Sequence, residues 1–215
     1  MNFLAHLYLS GDNVHVRLGN FIGDHVKGKA FTHYPPDVQK GILMHRAIDS
    51  FTDNHLATAE SKRLLRSGYG KYAGVVVDVF YDHLLASNWS NFSPFPLRGF
   101  TRGFYYQMVQ NYRLLPVEVK RFLPFLIQSN RLYSYRTTEG LQRALEIMSS
   151  VTSLPSETLF SMAVLNQYYA DFESHFCAMF PEMIRFVANE FKVYPVGFTA
   201  DMLPEPCGVQ LKQNE

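Results

Sequence analysis

Cysteine is almost absent: Cys177 and Cys207 are the only two in 215 residues. They lack metal-ligand spacing, which argues against a thiolate zinc site, and free thiols in a reducing compartment fit better than a structural disulfide. An excess of one charge is missing too. Twenty basic and nineteen acidic residues leave a formal +1, which excludes the global basic field of a nucleic-acid-binding protein. No apolar run approaches the roughly 18 residues a membrane span requires. The opening MNFLAHLYLS has no basic flank and is interrupted by His and Asn, so it does not read as a signal peptide. These absences lead to an expected cytoplasmic protein with no membrane or nucleic-acid partner, its oligomeric state open. Internal repeats and low-complexity tracts are also lacking, and the strand signal is weak throughout.

Hydrophobic residues, by contrast, make up 47% of the chain and include 18 Phe and 13 Tyr. That supports one sizeable core in one domain. Helical periodicity dominates. Helices are expected at about 2–10, 17–28 (helix or turn), from Pro35–Pro36 onward, then at 56–67, 71–89, 100–114, 116–129 and 138–151. A long helix over 155–190 should kink or split at Pro181. The best strand candidate, YAGVVVDVF, runs straight into YDHLLASNW, and its length favours a buried helix. The expected fold is an all-α, single-domain helical bundle of seven to nine helices over 1–194, followed by an irregular tail at 195–215.

The titratable groups are unevenly spread: seven of eight histidines lie in the first 83 residues. HRAIDSFTDNH (45–55) sets His45, Asp49 and Asp53 at successive i,i+4 positions, on one helix face. DVFYDH (78–83) repeats the spacing with Asp78 and Asp82, and adds His83. Such groups turned inward on apolar helices incur a large desolvation cost unless a cation or basic partners meet them. A divalent metal site is one outcome. The other is structural, with Arg46 pairing to Asp49, Asp53 and Asp78 capping helices, and His83 as a core histidine. His6 sits in an apolar helix, and GNFIGDHVKG places Asp24 beside Lys27 in a glycine-bounded turn.

Taken in order, MNFLAHLYLS, GNFIGD, GILMHRAIDSFTD, DVFYDHLLASNW and FESHFCAMFP resemble the acyl carrier protein phosphodiesterases, from residue 1 to about 181. The resemblance implies an HD-phosphohydrolase-like helical fold. It also implies hydrolysis of the 4′-phosphopantetheine arm from holo-acyl carrier protein, with Mn²⁺ as the divalent metal and Mg²⁺ or Fe²⁺ as alternatives. The His-Asp dipeptide of a standard HD domain is absent; Asp82–His83 and Asp24–His25 come nearest.

With that resemblance, His45, Asp82, His83 and Asp24 are the expected metal ligands. Asp24 could instead orient the attacking water, and Asp49 could ligate or steady His45. Arg46 is the expected phosphate grip, and His6, Asp53 and Asp78 form a second tier. Lys27, Lys62, Arg63 and Arg66 are expected to meet phosphate or an acidic carrier, with Lys71, Arg98 and Arg102 nearby. Three readings remain beside the carrier hydrolase: a hydrolase of nucleotides or other small phosphodiesters, a carboxylate–histidine iron protein, and a non-catalytic carrier-binding protein.

Overall fold

The structure, a computed structural model, describes residues 3–198. It is all-α, and no strand occurs among the described residues. Eleven helices follow in chain order: α1 (Phe3–Leu9), α2 (Val14–Ile22), α3 (Pro36–Asn54), α4 (Leu56–Tyr69), α5 (Ala73–Ser87), α6 (Leu97–Gln110), α7 (Val117–Gln128), α8 (Arg131–Ser134), α9 (Thr138–Val151), α10 (Thr158–Gln167) and α11 (Tyr169–Phe191). Two features raise the number above seven to nine. Arg131–Ser134 forms a helix of one turn, and the expected long C-terminal helix breaks at Tyr168 (φ −117°, ψ 29°). Pro181 lies inside α11, which runs on past it. Most of the expected tail, with Cys207, lies outside the described residues.

Local chemistry explains the starts that matter for the site. Asn13 caps α2 by accepting from the backbone N–H groups of His15 (2.9 Å) and Val16 (3.2 Å). Pro36 opens α3, where its missing N–H is no loss. His55 caps α4 through Nδ1, which accepts from the Ala57 N–H at 3.2 Å.

α5 is the central helix. From Val76 to Ala86 only Asp78 is not fully buried, and α1, α4, α9 and α11 pack around it. An aromatic cluster of Tyr8, Phe92, Phe176 and Phe180 closes the core beside α1 and α11. A buried polar link joins α4, α5 and α11: Ser61 Oγ lies 2.9 Å from both the Tyr81 hydroxyl and His175 Nδ1. The late histidine of FESHFCAMFP therefore braces helices.

The closest pairing in the fold is α2 against α3. A Cβ on Gly19 would come within 2.1 Å of the Val38 carbonyl, and one on Gly41 equally close to the Val16 carbonyl. Only glycine at both positions lets the two backbones touch. That contact sets Asn20 against His45. No helix among the described residues is long and apolar enough to cross a membrane.

Candidate metal centre

Four segments converge near the start of the chain: α1 with His6, α2 with Asn20, α3 with His45 and Asp49, and the 3-10 turn Gly23–His25 with Asp24. His6 and His45 are both buried, and their rings stack with centroids 4.2 Å apart. A Cβ on Gly23 would lie 2.3 Å from the His45 ring, so the turn passes only because that residue has no side chain.

Asn20 sets the chemistry of both rings. Its amide nitrogen donates to the His6 carbonyl and to Ser10 Oγ, each at 2.9 Å, which leaves Oδ1 as an acceptor. His6 Nδ1–H then donates to that Oδ1 at 2.7 Å. The backbone carbonyl of the same residue accepts from His45 Nδ1–H at 2.8 Å. With both Nδ1 atoms serving as donors, each neutral ring keeps its lone pair on Nε2.

Those lone pairs face carboxylates. His6 Nε2 lies 3.1 Å from Asp49 Oδ1; His45 Nε2 lies 3.1 Å from Asp49 Oδ2 and 3.4 Å from Asp24 Oδ1. Neither oxygen stands in line for a hydrogen bond with His45 Nε2, which is buried without a hydrogen-bond partner. A lone pair pointed at carboxylate oxygens is repulsive unless positive charge lies between them. In the protein alone a proton serves: burial works against charging His45, but Asp24 and Asp49 overcome it and lift the ring to about 9. Burial and the neighbouring His45 push His6 down to about 4. Asp49 is drawn well below the usual carboxylate range, because contact with His45 and His6 outweighs its burial. The close approach of His45 lowers Asp24 as well.

The residues fit a metal. Ligand atoms of His6, His45 and Asp49 all lie within 4.8 Å of one another, and the side chains of Asp49 (37% exposed) and Asp24 (68% exposed) open the group to solvent. Arg46 does not pair with Asp49. Its guanidinium donates to the carbonyls of Val26 (2.7 Å) and Gly28 (2.9 Å) and lies over the Phe31 ring, bracing the loop after Asp24.

The structure keeps Asp82 and His83 apart from this group. Asp82 is fully buried and its two oxygens accept from the Leu4 (2.7 Å) and Ala5 (2.9 Å) backbone N–H groups, so it anchors the first turn of α1 to α5. Burial raises its carboxyl to about 7. His83 Nδ1–H donates to the Tyr135 carbonyl at 2.6 Å, and its ring meets Tyr169 edge-on. Asp78, half-buried one turn before Asp82, is also raised by burial.

Asp53 pairs with Lys62 at 2.7 Å and Arg63 with Glu60 at 2.9 Å, while Lys27 and Arg66 are exposed. Asn20 was invisible to sequence reasoning. The available signal was its position in GNFIGD, between two glycines that permit close backbone approach.

Fold and site together define a class: an all-helical protein with a buried histidine–carboxylate centre open on one side. The family model described as acyl carrier protein phosphodiesterase matches residues 1–183. Curated proteins named acyl carrier protein phosphodiesterase from Salmonella agona (strain SL483), Salmonella dublin and Salmonella newport (strain SL254) are each 34% identical over 194 residues, covering 88% of this chain and 99% of theirs. No solved structure matches it. The chain belongs to the acyl carrier protein phosphodiesterase family, a family of hydrolases.

Proposed function

We propose that this protein hydrolyses the phosphodiester bond between a serine of holo-acyl carrier protein and its 4′-phosphopantetheine arm, releasing the arm and the apo carrier. His6, His45 and Asp49, with Asp24 beside them, would hold a divalent cation that assists the reaction. Family membership supports the substrate, since the relatives are named for acting on acyl carrier protein. The scarcity of cysteine suits action in the cytoplasm.

One observation carries the metal part: two imidazole Nε2 atoms turned toward one carboxylate, with both Nδ1 atoms held by Asn20. Two nitrogens with carboxylate oxygen suit Mn²⁺ or Fe²⁺ better than Mg²⁺, which prefers oxygen alone, and Mn²⁺ is the first choice. Bound there, the cation would supply a water acidified toward neutrality and offset charge on the phosphoryl oxygens.

The chain's own residues do the rest. Asn20 holds both rings in the tautomer that offers Nε2. Asp24, ionised at neutral pH, accepts a hydrogen bond from the attacking water and orients it toward phosphorus. Arg46 fixes the loop that follows Asp24.

The test is mass spectrometry of purified holo-acyl carrier protein incubated with this protein and Mn²⁺, with and without EDTA. Loss of the whole arm, blocked by EDTA, is expected. An unchanged carrier in both samples would overturn the reading.

A further inference from the structure

Charge is distributed along this chain in a way its total conceals. Residues 83–138 hold seven of the twenty basic side chains but only one of the nineteen acidic ones, Glu118. The stretch builds α6, α7 and α8, so these helices are markedly basic within a near-neutral protein. Among the described residues none of those seven basic side chains is in an ion pair, whereas Lys62 and Arg63 on α4 are neutralised by Asp53 and Glu60. Exposed Arg98, Arg102 and Arg113 follow the outer face of α6 and the turn after it, and Arg121 lies on α7.

The same two helices also expose large apolar groups among these arginines. Tyr106 (64% exposed) and Val109 (55%) stand at helical spacing after Arg102, and Val117 (56%) and Phe125 (71%) flank Arg121 at i−4 and i+4. Alternating guanidinium and apolar groups is the make-up of a protein-docking surface, in which charge steers and apolar anchors hold. The face also borders the metal centre. Phe122 of α7 meets the ring of His25, adjacent to Asp24, at 5.5 Å.

We infer that the α6–α7 face docks an acidic protein partner; resting on the function proposed above, that partner is the carrier substrate. Docked there, the carrier is held beside the opening at Asp24 and Asp49. The paired cations of α4 lack the unopposed charge for this role.

The test uses the full-length, Mn²⁺-loaded protein and an Arg113→Glu/Arg121→Glu variant, with Lys62→Glu/Arg63→Glu as the matched control. All are checked for native helicity. Carrier affinity is read by fluorescence anisotropy across a salt series, with hydrolysis of bis(nitrophenyl) phosphate as a carrier-free activity. The face variant should bind carrier about tenfold or more weakly, with a flatter salt dependence, while small-ester hydrolysis and Mn²⁺ binding stay unchanged. The α4 variant should hold within about twofold. Unchanged affinity in the face variant, or a loss confined to the α4 variant, would overturn the docking. So would wild-type protein that binds anionic phospholipid vesicles but no carrier. Binding lost in the face variant, with no carrier turnover by the wild type, would uphold the docking and refute the proposed reaction. Turnover with unchanged affinity would do the reverse.

Discussion

Two groups of histidine and aspartate lie in the N-terminal half, and the same residue types do different things in each. In the first, Asn20 holds the Nδ1–H of both His6 and His45, and the Nε2 atoms face Asp49 and Asp24. In the second, backbone N–H groups of α1 meet both oxygens of Asp82, and His83 is bound to the Tyr135 carbonyl. Residue type and burial do not separate the groups, since His45 and His83 are both buried. What separates them is the partner of each polar atom. A carboxylate already holding two amide hydrogens is satisfied by the fold alone; imidazole Nε2 atoms turned toward carboxylate oxygens are the arrangement from which the cation site is proposed.

The sharpest way to break this comparison is at His45. His45→Ala should reduce Mn²⁺-dependent turnover by well over the roughly 10–100-fold typical of losing an outer-shell partner. Steady-state assay of holo-carrier cleavage checks it. Asn20→Ala frees both rings without removing a ligand. It should cost about 10–100-fold in Mn²⁺ affinity, measured by calorimetric titration, and restore part of the activity at high Mn²⁺.

The pH dependence follows from His45. Its folded value of about 9 lies above the ordinary 6.5, so without metal its charged contact with Asp24 and Asp49 stabilises fully below 6.5 and is lost as pH rises toward 9. Mn²⁺ bound as proposed would displace that proton. Apparent affinity should therefore climb by about tenfold per pH unit through that window and level off above it. An affinity independent of pH between 6.5 and 8.5 would contradict the assignment.

Smaller in effect, and opposite in kind, is Asp82→Asn. The amide keeps one acceptor but turns a donor toward an amide N–H of α1. A loss of about 1–3 kcal/mol in denaturant unfolding is expected, with one Mn²⁺ still bound by the folded variant.

Much of this was legible in the sequence. The proline pair starting α3, the i,i+4 spacing of His45 and Asp49, and the apolar run of α5 all follow from local patterning that tertiary packing reinforces. The grouping of side chains was less so. Sequence reasoning joined Asp82 and His83 to His45, but the α1 backbone N–H groups that meet Asp82 and the Tyr135 carbonyl that meets His83 come from distant segments that no local spacing reveals. His6 ranked second because a lone histidine in an apolar helix ordinarily packs. Its role depends on α1 lying against α2, a contact between segments that no local pattern encodes. Asn20 was missed for the same reason: an amide gives no charge signal, and its importance lies in two rings brought to it by backbone contact at Gly19 and Gly41. The break at Tyr168 and the continuation of α11 past Pro181 also depart from the local reading.

The most direct test of the central distinction is Mn²⁺ binding, followed by electron paramagnetic resonance, in the wild type, His6→Ala and His83→Ala. The account predicts that His83→Ala binds Mn²⁺ with wild-type affinity and spectrum, while His6→Ala loses tight binding. Loss of Mn²⁺ in His83→Ala, with His6→Ala unaffected, would contradict it.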